Sequence, residues 1–141
     1  MNARHGGCHC GRLAYEARFA KPLTDYTPRA CDCGFCRKHG AAWLSDAGGS
    51  LVLRLRGDAL FYRQGSGQAE FLACPHCAVL VMVTAEVAGM TYAAINARTL
   101  DDADRLAGEQ PASPQKLAAT EKMERWSQLW FADMKIVHVD D

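Results

Sequence analysis

Cys74-Pro75-His76-Cys77-Ala78-Val79-Leu80-Val81-Met82-Val83-Thr84 sets a two-cysteine turn directly ahead of an apolar run rich in β-branched residues. Such a run, bounded by a turn, reads as a buried strand. Glu70-Phe71-Leu72-Ala73 leads into the same turn, so the unit is strand, cysteine turn, strand. That reading decides the chemistry of the turn. Cys-x-x-Cys serves as a redox dithiol when its first cysteine sits at a helix N-terminus, where the macrodipole lowers its pKa. A Cys-x-x-Cys that enters a strand is a zinc knuckle instead.

The rest of the chain continues the pattern. Leu13–Phe19 alternates weakly and reads as a strand, as do Ala41–Leu44, Leu51–Gly57, Ala59–Arg63 and Met90–Asn96, with Gly57-Asp58 and Gly65-Ser66-Gly67 as turns between them. Short strands at this spacing predict a mostly β fold of antiparallel sheets in one domain, residues 1–141. The C-terminal part differs. Ser113-Pro114 has the character of a helix start, and Ala119, Met123, Trp126 and Trp130 recur with helical spacing. Glu121 and Arg125 stand four apart in the favourable orientation. A short helix within residues 114–131 is expected, its tryptophans covering the sheet, with Ile136–Val139 as a last strand.

The seven cysteines are the other informative feature. They stand at 8, 10, 31, 33, 36, 74 and 77, each two or three positions from another. An odd number cannot all pair as disulfides, and the pattern suits a reducing compartment. Zinc asks for close-set thiolates, four in a tetrahedron at about 2.3 Å. Glycines beside the cysteines, at Gly7, Gly11 and Gly34, ease the turns that would converge the sulfurs. Cys8, Cys10, Cys74 and Cys77 would close a structural site. Cys31, Cys33 and Cys36 would hold a second zinc with one position open, as catalytic sites do. Spacing alone leaves this partition open, because the triplet could lend a sulfur to the Cys74 pair. The zinc deaminase pattern His-x-Glu is absent, since none of His5, His9, His39, His76 or His138 has Glu at the second position after it.

Sixteen Lys and Arg balance sixteen Asp and Glu. No excess of positive charge is available to grip a phosphate backbone, so no nucleic-acid partner is expected. The longest apolar run, Cys77 to Val83, is far short of a bilayer span, and the first ten residues hold no apolar core. A cytoplasmic protein without a membrane partner is the expectation.

With these residues in hand, the chain resembles the glutathione-dependent formaldehyde-activating enzyme family, which includes the centromere protein V relatives. Gly6-Gly7-Cys8-His9-Cys10-Gly11, followed by Leu13 and Tyr15, is similar to the family's opening. Cys31, Cys33, Cys36 and Arg37 match its middle Cys-x-Cys-x-x-Cys-Arg motif, Cys74 and Cys77 its third, and Thr99-Leu100-Asp101-Asp102 a downstream stretch. The resemblance implies a β-tent of antiparallel sheets. It also implies a structural zinc on the first and third motifs and a catalytic zinc on the triplet, two per chain. Two departures stand out. The family commonly places Arg and an aromatic residue before the Cys-x-x-Cys and Gly after it, where this chain has Glu70-Phe71-Leu72-Ala73 and Ala78.

The family's activity implies condensation of a small thiol, glutathione, with an aldehyde, formaldehyde, as catalysed by a carbon–sulfur lyase. Three thiolates on Zn²⁺ leave a formal charge of −1, and a substrate thiolate makes it −2, so a nearby cation should help. Arg37, Lys38 and His39 follow the last ligand, and Arg37 is the expected substrate-binding cation. Phe35 and Trp43 are candidates to line a pocket. The alternative is a non-catalytic, zinc-stabilised scaffold of the same fold. A homodimer is compatible with either.

Overall fold

The computed structural model describes residues 2–140. In chain order its strands are β1 (Asn2–Gly7), β2 (Leu13–Phe19), β3 (Arg29–Cys31), β4 (Trp43–Leu44), β5 (Ser50–Arg56), β6 (Leu60–Tyr62), β7 (Ala69–Ala73), β8 (Leu80–Val87), β9 (Met90–Asn96), β10 (Gln110–Ala112) and β11 (Asp133–Val139). Its α-helices are α1 (Gly34–His39) and α2 (Ala119–Leu129). One sheet has four strands in the order β1-β2-β5-β11, the other seven in the order β10-β3-β4-β9-β8-β7-β6.

The expected mostly β architecture is present. The four-stranded sheet is wet on one side. Along β2, Leu13, Tyr15, Ala17 and Phe19 are buried, and along β5 Leu51, Leu53 and Leu55 are, which is the period-2 signature of a half-buried strand. Those side chains meet Leu72, Met82, Ala93 and Ile95 of the larger sheet in one core, joined by Phe131. The apolar run of β8 has a different cause. Its residues Leu80–Ala85 are all buried because β8 is covered on both faces. Met82 joins the inter-sheet core, while Leu80, Val83 and Ala85 join a second cluster that holds the cysteine triplet, Trp126 and Trp130.

Besides α1, which the sequence did not suggest, three features differ from the sequence expectation. Two strand pairs are parallel, β11 with β5 and β10 with β3. Both parallel strands come from the C-terminal part, which returns after long crossovers, as parallel pairing requires. β1, whose sequence is polar, pairs with β2 from Asn2↔Phe19 to Gly7↔Ala14, and its Arg4 pairs with Asp102 at 3.1 Å. Ser113-Pro114 opens only a single 3₁₀ turn at Pro114–Lys116, and Leu117 and Ala118 then run extended. α2 therefore starts at Ala119, where Glu121 accepts from the Ala118 backbone N–H at 2.9 Å. No helix of the described residues is long and apolar enough to cross a membrane.

Candidate metal centres

The first centre joins two turns that are distant in sequence. Cys8 and Cys10 lie between β1 and β2, and Cys74 and Cys77 between β7 and β8. Gly7 brings the chain in at φ 152°, where a Cβ would stand 2.1 Å from the Leu13 carbonyl oxygen, so no other residue fits there. That closeness lets Cys8 N–H donate to Leu13 O (2.8 Å) while Leu13 N–H donates to Cys8 Sγ (3.3 Å). In the other turn the N–H groups of His76 and Cys77 both donate to Cys74 Sγ at 3.4 Å. Ala78 N–H closes the turn onto Cys74 O at 2.8 Å. Ala78 pays for this with φ 68°, left-handed backbone that costs a residue with a Cβ about 1–2 kcal/mol.

The four sulfurs fit a tetrahedral metal. Cys8 Sγ and Cys10 Sγ are 3.7 Å apart, and Cys10 Sγ and Cys74 Sγ 3.6 Å. Zinc–sulfur bonds of about 2.3 Å would set tetrahedral sulfurs about 3.8 Å apart, whereas a disulfide needs about 2.05 Å. All four ligand atoms lie within 4.8 Å of one another. Burial raises the Cys77 thiol, but N–H donors from Cys10 and Val79 and hydrogen bonds from neighbouring thiols outweigh it and bring Cys77 down to about 6. The turn is thus built to carry thiolate. The intervening His9 and His76 are exposed and take no part.

The second centre is the triplet, whose sulfurs also lie within 4.8 Å of one another. Cys31 ends β3, Cys33 is the N-cap of α1, and Cys36 lies within that helix. The Cys33 Sγ accepts from Cys36 N–H at 3.4 Å. Gly40 stops the helix in the left-handed conformation at φ 63°. All three cysteines are buried. Two side chains donate to their sulfurs, Trp43 Nε1–H to Cys36 at 3.4 Å and Gln64 Nε2 to Cys33 at 3.8 Å. A hydrogen bond from the Cys36 thiol lowers Cys31 to about 6 against the effect of burial, and the same bond raises Cys36. These bonds favour thiolate at Cys31 over Cys36. Among the described residues, no fourth His, Cys, Asp or Glu joins this group.

Above the three sulfurs opens a cavity of about 340 Å³, walled by Trp43, Phe71 and Trp126. Lys122 and Gln64 line it as well. Gly34 also lines it, with open space where its Cβ would point, so glycine is not needed there for the turn. Arg37 lies on the exposed side of α1, outside this lining. Phe35 is outside this lining but backs its wall, its ring 4.6 Å from that of Phe71, 4.7 Å from His39 and 5.1 Å from Tyr62. Trp126 does two jobs, stacking on Trp130 (4.9 Å) over the sheet and walling the cavity.

Two further cations stand behind the triplet, Arg29 and Arg125, beside Cys31 and Trp43. Arg29 donates to Ser45 Oγ at 2.8 Å. Burial, and then the charge of Arg125, lower it to about 10. Among the described residues, no carboxylate pairs with either arginine. A largely buried guanidinium without a counter-ion is costly. Nothing in the spacing of the motifs points to Arg29, Gln64 or Lys122. The helical stripe did single out Trp126, as a cover for the sheet.

Residues 3–116 match the family model described as glutathione-dependent formaldehyde-activating enzyme. The chain belongs to that family. The match contains all seven cysteines and stops short of α2. A crystal structure of a Rhodobacter sphaeroides protein is similar at TM-score 0.53 and 25% identity, over 69% of this chain and 87% of that one. No curated protein matches the chain.

Proposed function

We infer that this protein is a zinc-dependent carbon–sulfur lyase that joins a small thiol to an aldehyde, or releases it, in the manner of an S-(hydroxymethyl)glutathione synthase. The observation that carries the reading is the incomplete set of three sulfurs, Cys31, Cys33 and Cys36, at the floor of a cavity. Cys8, Cys10, Cys74 and Cys77 form a closed set and hold the structural zinc. The triplet holds the catalytic one.

Zinc at the triplet supplies Lewis acidity that favours the thiolate form of a substrate thiol at neutral pH. The chain's own residues do the rest. Trp43 Nε1, Gln64 Nε2 and the Cys36 N–H draw charge from the ligand sulfurs, so that a further sulfur is tolerated. Arg29 and Arg125 oppose the negative charge from behind. Phe71 and Trp126 narrow the cavity and keep water from competing with the thiol. In the forward reaction the thiol gives up its proton, its sulfur forms a bond to the carbonyl carbon, and the carbonyl oxygen takes up a proton to become a hydroxyl. The reverse breaks the same bond.

Metal analysis together with a rate measurement tests this. Two zinc per chain are expected, with one lost on Cys33→Ser while the circular dichroism of the folded chain persists. Thiol–formaldehyde adduct formation should exceed the uncatalysed background in the wild type and fall to it in the variant. One zinc per chain and a fully active Cys33→Ser protein would rule out the triplet as the catalytic site.

A further inference from the structure

We propose that α2 is the substrate-selecting wall of the triplet cavity, and that Lys122 reads a carboxylate carried by the thiol substrate. The proposal rests on the reading of the triplet as a thiol site and names the class of thiol it takes.

Three observations converge. Lys122, Arg125 and Trp126 stand three and four positions apart, so they share one face of α2, and Lys122 and Trp126 line the cavity over the sulfurs. Among the described residues, no carboxylate lies in ion-pair range of Lys122, though it is only half exposed. Lys122 is also the fourth residue of α2, in the first turn, where the helix macrodipole opposes a cation. Glu121 beside it suits that end and caps it, so the helix gains nothing from the lysine next to it. A cation placed against the dipole, without a counter-ion, and lining a cavity floored by thiolates is placed for a ligand.

The segment is anchored where it must be to serve this purpose. Asp32 N–H, between two triplet cysteines, donates to Ala112 O of β10 at 2.9 Å, and Ser113 Oγ donates to the Asp32 carboxylate at 2.5 Å. The chain leading into α2 is thereby fixed to the triplet loop. α2 itself lies beyond the residues that match the family model. A thiolate in the cavity adds one negative charge and a carboxylate a second. Lys122 is the lining cation that can meet the second, with Arg29 and Arg125 behind the sulfurs. Thiols with a carboxylate, glutathione among them, therefore fit better than neutral thiols of the same size.

The test uses the zinc-loaded full chain and two probes matched in shape, N-acetylcysteine and N-acetylcysteine amide, titrated calorimetrically. The wild type should bind the acid about two- to fivefold more tightly than the amide, as one partly exposed charge pair allows. Lys122→Met should erase that preference with an unchanged melting temperature, Lys122→Arg should restore most of it, and Lys122→Glu should reverse it. Equal binding of both probes by the wild type, or a preference that survives Lys122→Met, overturns the selecting role while the thiol site stands. Failure of both probes to bind the wild type overturns the thiol site and the selecting role together.

Discussion

Replacing Trp43 with Phe separates the two centres by a single hydrogen bond. The indole N–H donates to Cys36 Sγ at 3.4 Å, with Cys36 1% and Trp43 7% exposed. A buried hydrogen bond to a charged acceptor contributes about 1.5–3 kcal/mol. At about 1.4 kcal/mol per decade, its loss should weaken metal binding at the triplet roughly 10- to 100-fold, the range typical when a donor to a metal ligand is removed. Phenylalanine keeps an aromatic ring near Phe71, whose centroid is 5.8 Å from that of Trp43. The lost ring volume destabilises the loaded and the empty chain alike, so it cancels from the affinity. The assay is competition for zinc against a chromophoric chelator, read as two steps. The tighter step, from Cys8, Cys10, Cys74 and Cys77, should not move, and the weaker one should shift by the stated factor. Equal affinity of wild type and variant at both steps would show that Trp43 only packs. The argument that donors to these sulfurs tune the triplet would then fall.

Cys74→Ser should unfold the chain, read by far-UV circular dichroism. Cys74 is fully buried in the inter-sheet core, and a structural zinc contributes about 10–16 kcal/mol, as much as a domain's whole margin. Ala78→Gly should raise the melting temperature by about 3 °C. Relief of the Cβ at φ 68° offsets the backbone entropy of glycine with about 0.5–1 kcal/mol to spare, and a lower melting point would show that Ala78 is not strained. In metal-free protein, iodoacetamide should modify Cys77 first and Cys31 next, because both thiols are lowered from 9.0 to about 6 and Cys31 is the more buried. The rate should be flat above that pH and fall as the pH drops through it, when the thiolate takes up a proton. Mass spectrometry of the modified peptides checks the sites, and a midpoint near 9 would refute the lowered thiols.

What the sequence made legible follows from the range of the forces involved. β2 and β9 were readable to the residue, and β8 was readable as buried, because alternation or unbroken apolar character is written locally. β1 was not, since polar residues at an exposed edge are held by backbone pairing and by the ion pair of Arg4 with distant Asp102, which no local pattern records. α1 was missed for its length: its six residues carry no periodicity, and its signals are a cysteine as N-cap and Gly40 at the end. The seven cysteines identified both metal groups, but the grouping itself depends on packing. The β1–β2 turn reaches the β7–β8 turn only once the sheets meet, helped by a bridge between Gly6 and Leu100. Arg37 shows the opposite case. It follows a ligand directly, yet neighbours on a helix point about 100° apart, so Cys36 faces inward and Arg37 faces solvent. Lys122, far along the chain, lines the cavity instead.

The dependence of one centre on the other runs in a single direction, and β7 is the reason. Phe71 on that strand walls the triplet cavity, Leu72 turns into the inter-sheet core, and Cys74 just past its end is a ligand of the closed centre. A metal at the closed centre ties the end of β7 to the β1–β2 turn, and so fixes where Phe71 stands. Losing it releases the strand, the wall and the cavity together. The triplet has no such hold on the fold. Its three sulfurs come from β3, the loop after it and α1, beside the second buried cluster and away from the core between the sheets. Emptying it leaves that inter-sheet core intact. Under the proposed reaction, a site that exchanges a ligand at every turnover would be tolerated only where the fold does not hang on its coordination. The chain has that layout, with four sulfurs where the two sheets meet and three beside the second cluster.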